Sequence, residues 1–311
     1  MKRGITLAAG RAALLVSALV VAQPKPPDEH VPYRDYKDIL ALFDRLGYTA
    51  EPWRAGNLKV PPVYYAQITH EWHDKAKGAT VADKKKVFFR LILPIVLKVN
   101  EFILEDRARA TEVTEWLSRG TDVSAEDQKW LAALAVRYKL TGLSGDRLPA
   151  SQFAELLLRV DVVPPSLSLA QTASESGWGT SRFAAEGNSL FGQWSWGKGL
   201  KPTEQRTESV GDQRVAAFDS TFAAAYGYAL NLNTQRAYQD LRVKRAELRR
   251  NNLPITGTAL VQTLIHYSER GQAYVDDLTA LMSQNALHTA DAAHLRDMPT
   301  IRLECVDEQS K

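Results

Sequence analysis

The stretch PPSLSLAQTASESGWGTSRFAAEGNSLFGQWSW, residues 164–196, decides the fold of the chain around it. Its apolar side chains recur with helical spacing, at Leu167, Leu169, Ala170 and Ala173. Pro165 suits the first turn of such a helix, and Gly177 suits the left-handed residue that ends one. We therefore expect a short buried helix with Glu175 in its last turn.

The expected position of Glu175 favours a carboxyl group that keeps its proton. The carboxyl end of a helix carries partial negative charge, which disfavours a second negative charge there. If Trp178 and Phe191 fold over the carboxyl group and exclude water, its pKa rises further. A carboxylic acid that is still protonated near neutral pH can donate that proton to a glycosidic oxygen. Glu175 is therefore the candidate general acid for cleaving a sugar polymer.

Four blocks of sequence, in this order, match a known family: LAQTASESGWGTSRFA (169–184), EGNSLFGQWSW (186–196), VAAFDSTFAAAYGYALNLNTQRAY (215–238) and YSERGQAYVDDLTALMSQN (267–285). Through them the chain resembles the bacterial glucosaminidase family of peptidoglycan hydrolases, and its Bax-type members in particular. The resemblance implies a mainly α fold, with a lysozyme-like helical catalytic domain and a small β-hairpin lobe. It also implies cleavage of the β-1,4 bond after N-acetylglucosamine, with Glu175 as the general acid.

Glycan cleavage needs a second group at the sugar carbon, either another carboxylate or the N-acetyl group of the substrate. Many relatives carry a Thr-Glu pair in the hairpin, and Thr207-Glu208 stands where that pair falls. Glu208 is therefore the candidate base. Other carboxylates stand nearby, at Glu204, Asp212 and Asp219, so the sequence leaves this assignment open.

Two tyrosines match the late motif of the family. Tyr267 opens it and is the candidate that orients the N-acetyl group of the substrate, while Tyr274 matches its second aromatic position. Relatives commonly have Ala-Thr-Asp-Pro after the first tyrosine, whereas this chain has Ser-Glu-Arg-Gly at 268–271, as Bax-type members tend to. Tyrosines at helical spacing also pack in cores, so a purely structural role for both remains open.

Aromatic and amide side chains near Glu175 are candidates for holding the sugar, because flat apolar rings suit the faces of pyranose rings. The candidate substrate-binding residues are Trp178, Asn188, Phe191, Trp194, Trp196 and Tyr274. Each has a structural alternative. A tryptophan cluster is good core material, and Asn188 can instead close its own loop.

The chain divides into five segments by composition. Residues 1–22 combine a basic start with an apolar stretch, which predicts a signal peptide or an N-terminal anchor, and therefore export to the periplasm or cell envelope. We expect a proline-rich linker at 23–32, a helical N-terminal region at 33–150, the catalytic domain at 151–286 and a polar tail at 287–311. In the catalytic domain, 205–210 and 213–218 are strand-like and flank a Gly-Asp turn.

Composition limits the other function classes. The chain has 311 residues, 45% hydrophobic and 24% charged, with a net charge of +3 and a single cysteine, Cys305, so no internal disulfide is possible. His70 and His73 are one residue short of zinc-protease spacing, so we expect no metal and no cofactor. A basic run could meet anionic glycan peptides or simply be solvated: Arg242, Lys244, Arg245, Arg249 and Arg250. We expect the chain to bind peptidoglycan strands and not nucleic acid. Any membrane tether is expected only through the N-terminus. The sequence indicates no particular protein partner.

Three functions fit these observations. The first is a glucosaminidase that acts on peptidoglycan. The second is a wall-binding or scaffold protein that keeps the cleft without turnover. The third is muramidase or lytic transglycosylase chemistry in the same cleft, which would cut after the other sugar.

Overall fold

The protein is mainly α-helical, as predicted. The computed structural model describes residues 28–56, 58–65, 78–196, 199–201 and 213–306. Within these residues, one hydrophobic core joins side chains from the N-terminal region, the predicted catalytic domain and the residues after it. None of the described helices carries an apolar stretch that could span a membrane.

The helices, in chain order, are α1 (Tyr36–Arg45), α2 (Ala50–Ala55), α3 (Val81–Ser118), α4 (Ala125–Arg137), α5 (Phe153–Arg159), α6 (Pro165–Ser176), α7 (Arg182–Gly187), α8 (Thr221–Thr234), α9 (Gln239–Arg250), α10 (Gly257–Leu260) and α11 (Gln272–Gln284). Short 3-10 turns lie at Ala150–Gln152, Arg236–Tyr238, Val261–Leu264 and Leu287–Ala292. The strands are β1 (Glu29–Tyr33), β2 (Lys59–Val60), β3 (Val63–Tyr65), β4 (Trp194–Trp196), β5 (Gln213–Val215), β6 (His294–Leu295) and β7 (Ile301–Cys305).

The long helix α3 runs through the core. Thr80 caps its first turn by accepting a hydrogen bond from the backbone N–H of Asp83. The whole of 87–97 is buried, including Pro94, so this apolar run forms a core helix. Helices α6 and α8 both pack against α3.

Helix α6 is the one predicted from its apolar spacing, and the prediction is confirmed. Pro165 lies in the first turn, and Gly177 ends the helix in the left-handed conformation with φ of +56°. Every residue of α6 up to Ala173 is buried. Glu175 therefore comes at the point where a buried helix reaches the surface.

A carboxylate from beyond the predicted catalytic domain holds the start of α6. Asp291 Oδ1 accepts a hydrogen bond from the Ser166 backbone N–H at 2.9 Å, and Oδ2 accepts one from Ser166 Oγ at 2.8 Å. Oδ2 also accepts from the backbone N–H of Gly257 at 3.0 Å. A Cβ at Gly257 would stand 2.2 Å from Ser166 Oγ, so only glycine allows this approach. The negative charge also faces the positive end of the α6 dipole.

Two of the predicted segments are corrected by the structure. The predicted linker overlaps β1, and the predicted polar tail contains β7, which lies between β1 and β3 in a parallel three-stranded sheet. In β7 the buried Ile301 and Leu303 alternate with exposed side chains, a period-two pattern that marks a half-buried strand. The N-terminal region is accordingly not helical throughout.

The described part of the small β lobe is a pair of strands. Strand β5 pairs antiparallel with β4, with Trp194 opposite Val215. The predicted strand at 205–210 and its Gly-Asp turn lie outside the described residues.

Two arginines of the basic run on α9 are buried, so they belong neither to a solvated face nor to a ligand-binding surface. Arg245 is fully buried and donates hydrogen bonds to the carbonyls of Leu158, Asp161 and Val162, just before α6. Arg242 is buried as well and donates to carbonyls at the end of α8. Arg245 therefore satisfies backbone groups of the segment that leads into α6, and Arg242 those at the end of α8.

Substituting Asp291 with alanine should destabilise the protein, because the Ser166 and Gly257 donors lose their buried acceptor. We expect the free energy of unfolding to fall by about 1–3 kcal/mol, and by less for Asp291→Asn, which keeps one acceptor oxygen. Urea unfolding followed by circular dichroism measures both changes. Asp297→Ala, at an exposed aspartate a few residues later, is the matched control. Equal midpoints for Asp291→Ala and the wild type would contradict this role.

Candidate active site

Glu175 is half-buried at the end of α6, where two other parts of the chain meet its carboxyl group. Tyr274, in the first turn of α11, donates a hydrogen bond from its hydroxyl group to Glu175 Oε1 at 2.8 Å. Gly192, just before β4, lies against the other oxygen: a Cβ at this position would stand 2.7 Å from Oε2. Gly192 also has a φ of +61°, so a larger residue is disfavoured by both space and backbone conformation.

A chain of buried hydrogen bonds fixes the direction of the Tyr274 donor. The Tyr228 hydroxyl donates to Gln171 Oε1 at 2.5 Å, and Gln171 Nε2 donates to the Tyr274 hydroxyl oxygen at 3.1 Å. Because that oxygen already accepts, its single proton is directed to Glu175 Oε1. When Glu175 carries a proton, the proton therefore resides on Oε2, the oxygen beside Gly192.

The surroundings of Glu175 favour its protonated form. Burial raises the pKa of this carboxyl above its ordinary value, since the charged form loses solvation. The hydrogen bond from Tyr274 and the positive charge of Arg270 lower the pKa, and they offset only part of the effect of burial. The position at the carboxyl end of α6 acts in the same direction as burial.

Tyr267 packs against Tyr274 and contacts the loop that carries Gly192. Its hydroxyl donates to the backbone carbonyl of Phe191 at 2.9 Å. Its ring stacks on that of Tyr274, with centroids 5.5 Å apart and planes only 1° from parallel. The structure thus brings Tyr274 into hydrogen-bond contact with Glu175, and it places Tyr267, the predicted catalytic tyrosine, in a layer that holds Tyr274 and the loop before β4.

Two aromatic side chains predicted to cover Glu175 lie elsewhere. Phe191 is fully buried and stacks on Tyr228 with centroids 4.1 Å apart, so its ring has no surface left for substrate. The Trp178 ring packs edge-on against Phe88 and Phe89 of α3, with centroids 5.7 and 5.1 Å away. Trp178 has a φ of +62°, which turns it away from the path of α6.

Of the remaining candidate substrate-binding residues, Asn188 makes a contact within its own loop, and the two tryptophans lie on strand β4. Asn188 ends α7 in the left-handed conformation and donates from Nδ2 to the Phe218 carbonyl at 3.0 Å, which closes its loop. Trp194 on β4 is 47% exposed and remains available to a ligand. Trp196 belongs to the same strand, but its side chain lies outside the described residues, as does Glu208.

Sequence reasoning missed Gln171 and Gly192. Gln171 is a buried amide exactly one helical turn before Glu175, and a polar residue on the apolar face of a helix is a usable signal. An isolated glycine just before a strand, as at Gly192, often marks a close approach. Among the described residues, no three His, Cys, Asp or Glu side chains are grouped as metal ligands would be, and His70 and His73 lie outside them.

Replacing Tyr274 with phenylalanine should raise the pKa of Glu175. The variant keeps the ring that stacks on Tyr267 and removes the hydroxyl group that stabilises the charged carboxylate. Without that hydrogen bond, less remains to offset the rise in the pKa of Glu175 that burial causes. Carbon-13 NMR of labelled glutamate side chains, followed through a pH titration, measures this. Tyr238→Phe removes a hydroxyl from the same aromatic cluster without touching Glu175, and its titration should match the wild type. A pKa that is unchanged or lower in Tyr274→Phe would refute the assigned contact.

Comparisons with known proteins agree with the resemblance in the sequence. Residues 150–287 match the family model for glucosaminidase, described as mannosyl-glycoprotein endo-beta-N-acetylglucosaminidase. The chain is 32% identical over 219 residues to Protein bax of Escherichia coli (strain K12), which spans 68% of this chain and 73% of that protein. No solved structure matches the chain. The chain therefore belongs to the glucosaminidase family, as a Bax-like member of it.

Proposed function

We propose that this protein is a peptidoglycan hydrolase that cleaves the β-1,4 bond after N-acetylglucosamine, with Glu175 as the general acid. Membership of the glucosaminidase family supports glycosidase activity in general. The observation that carries the specific proposal is the environment of Glu175, a half-buried carboxyl whose pKa is raised and whose Oε1 is occupied by Tyr274. Such a group keeps its proton to a higher pH than an ordinary glutamate and is therefore suited to act as a general acid.

In the proposed reaction, Glu175 Oε2 delivers its proton to the glycosidic oxygen while the bond between that oxygen and the sugar carbon breaks. A water molecule supplies the oxygen that then bonds to the sugar carbon, and its proton passes to Glu208 or, where the N-acetyl group attacks first, back to the Glu175 carboxylate. Tyr274 stabilises the carboxylate that remains, because its hydrogen bond to Oε1 strengthens as Glu175 becomes negative. The bare backbone at Gly192 leaves the space beside Oε2 that the leaving oxygen needs.

The second group at the sugar carbon is proposed to be Glu208 or the N-acetyl group of the substrate itself. Both routes are compatible with a general acid at Glu175. If the two carboxyl groups are about 6.5–9.5 Å apart, water fits between them and the product is inverted. The stereochemistry of the product therefore distinguishes the routes.

Trp194 is the proposed sugar platform. Nearly half of its surface is exposed on β4, the strand that follows Gly192 by two residues, and large exposed aromatic rings serve as stacking faces for pyranose rings. The pairing of β4 with β5 holds the Trp194 backbone in place. We propose the periplasm or cell envelope as the place of action, on the basis of the basic start and apolar stretch of residues 1–22.

The Glu175→Gln variant should lose peptidoglycan cleavage while remaining folded. The amide oxygen still accepts from Tyr274 but the side chain has no proton to transfer, so we expect the rate to fall by about 10²–10⁴-fold. Digestion of purified peptidoglycan, with the products identified by mass spectrometry, measures both rate and specificity. Glu186→Gln changes an exposed glutamate on α7, the next helix along the chain, and should keep wild-type activity.

The product ends separate the alternatives. Reducing N-acetylglucosamine ends support the proposal. Reducing or anhydro muramic acid ends would indicate muramidase or lytic transglycosylase chemistry instead. Binding to peptidoglycan with no new ends would indicate a wall-binding protein, and near wild-type cleavage by Glu175→Gln would overturn the general-acid role.

A further inference from the structure

A cavity of about 350 Å³ lies among α2, α3 and the end of α11, away from the contacts of Glu175. Its lining is strongly basic. Four cationic side chains line it: Arg54, Lys85, Lys86 and Arg90. Trp53 and Phe89 contribute aromatic surface, and no acidic side chain is among the described residues of the lining. The cavity is therefore a concave, positively charged site with apolar walls, the combination that anionic organic ligands require.

Arg90 is the most informative of these residues, because it is only 4% exposed. Its guanidinium lies 5.8 Å from the centre of the Phe43 ring and 5.5 Å from that of Tyr48. Within the described part of the chain, no carboxylate or carbonyl oxygen accepts a hydrogen bond from it, and Asp44 acts on it only through its charge. Buried guanidinium groups are normally paired, so Arg90, which has no described acceptor, is the lining residue best suited to take an anion.

The other cations are also left available. Lys85 contacts the ring of Trp178, with Nζ 4.8 Å from its centre, and makes no ion pair with a described carboxylate. Lys86 contacts Asp83 at 3.3 Å, a pair of side chains that are both partly exposed, and such pairs contribute little. An incoming anion can therefore meet Arg90 and Lys85 without first breaking an ion pair to any carboxylate of the described residues.

Trp178 links this cavity to the chain segment that carries Glu175. Trp178 follows Glu175 by three residues, and its ring packs on Phe89 and Lys85, both of which line the cavity. A polymer bound at Glu175 can therefore extend past Trp178 toward the basic cavity. In peptidoglycan, the glycan strand carries short peptides whose free carboxylates are its main negative charges.

We propose that this cavity binds a carboxylate of the peptide attached to the glycan strand, with Arg90 as the buried contact and Lys85, Lys86 and Arg54 around it. The proposal rests on peptidoglycan being the substrate class, and it adds the peptide-bearing part of that substrate. The cavity is a binding site and takes no part in proton transfer. Its ligand is recognised by charge and by the planar carboxylate that a guanidinium fork matches.

Isothermal titration calorimetry of the full chain tests the proposal. The probe is an N-acetylated Ala-γ-Glu-diaminopimelyl-Ala peptide with free carboxylates. A matched probe carries carboxamides in their place, and inorganic phosphate is titrated as a third ligand. We expect binding of the acidic peptide at one site, and no measurable binding of the amidated peptide or of phosphate at the same concentrations.

A double variant localises the site. Arg54→Gln with Lys86→Gln removes two cavity charges at accessible positions and avoids Arg90, which also packs in the core. We expect this variant to raise the Kd by about tenfold or more. Arg45→Gln with Lys84→Gln removes two charges nearby that do not line the cavity, and its Kd should equal that of the wild type.

Equal binding of the amidated peptide, tighter binding of phosphate, no binding of the acidic peptide, or equal Kd values for the two double variants would each overturn the proposal. These measurements require no turnover. A chain that binds the peptide but fails to cleave peptidoglycan would overturn the proposed hydrolase function alone.

Discussion

The hydrogen bond between Tyr274 and Glu175 is the contact on which the candidate active site depends. It joins the end of α6 to the start of α11 across 99 residues of chain, and it occupies one carboxyl oxygen while leaving the other beside Gly192. The direction of this bond follows from Gln171, whose amide both accepts from Tyr228 and donates to Tyr274. A buried network of this kind favours a single arrangement, because breaking any one of its hydrogen bonds leaves a buried polar group unpaired.

The rest of the fold keeps α6 where that contact needs it. At its start, Asp291 binds the first turn, and Arg245 satisfies the carbonyls of the segment just before it. Along its length, α6 packs against α3 and α11. Residues after the matched family region therefore support the helix that carries Glu175. The apolar side chains of β7 join the same core.

The parts of the fold and of the site that depend on neighbouring residues could be predicted from the sequence. The apolar spacing of α6, Pro165 at its start and Gly177 at its end fix the placement of Glu175 by helix geometry alone. The pattern of β7 was equally local, since Ile301 and Leu303 alternate with charged residues, but its polar composition led to the wrong prediction of a tail. The orientation of Trp178 could not be predicted, because it depends on Phe88 and Phe89, about 90 residues earlier in the chain. The partner of Tyr274 is similarly a matter of packing between distant helices.

The measurement that tests the central claim most directly is the pH dependence of kcat/KM for peptidoglycan cleavage, compared with the pKa of Glu175 determined by NMR in the same protein. A general acid works only while protonated, so kcat/KM should fall as the pH rises through the pKa of Glu175, and that pKa should lie above the ordinary range of glutamate. Burial of Glu175 is the reason for expecting the raised value. A rate constant that stays level or rises across that pKa would contradict the account.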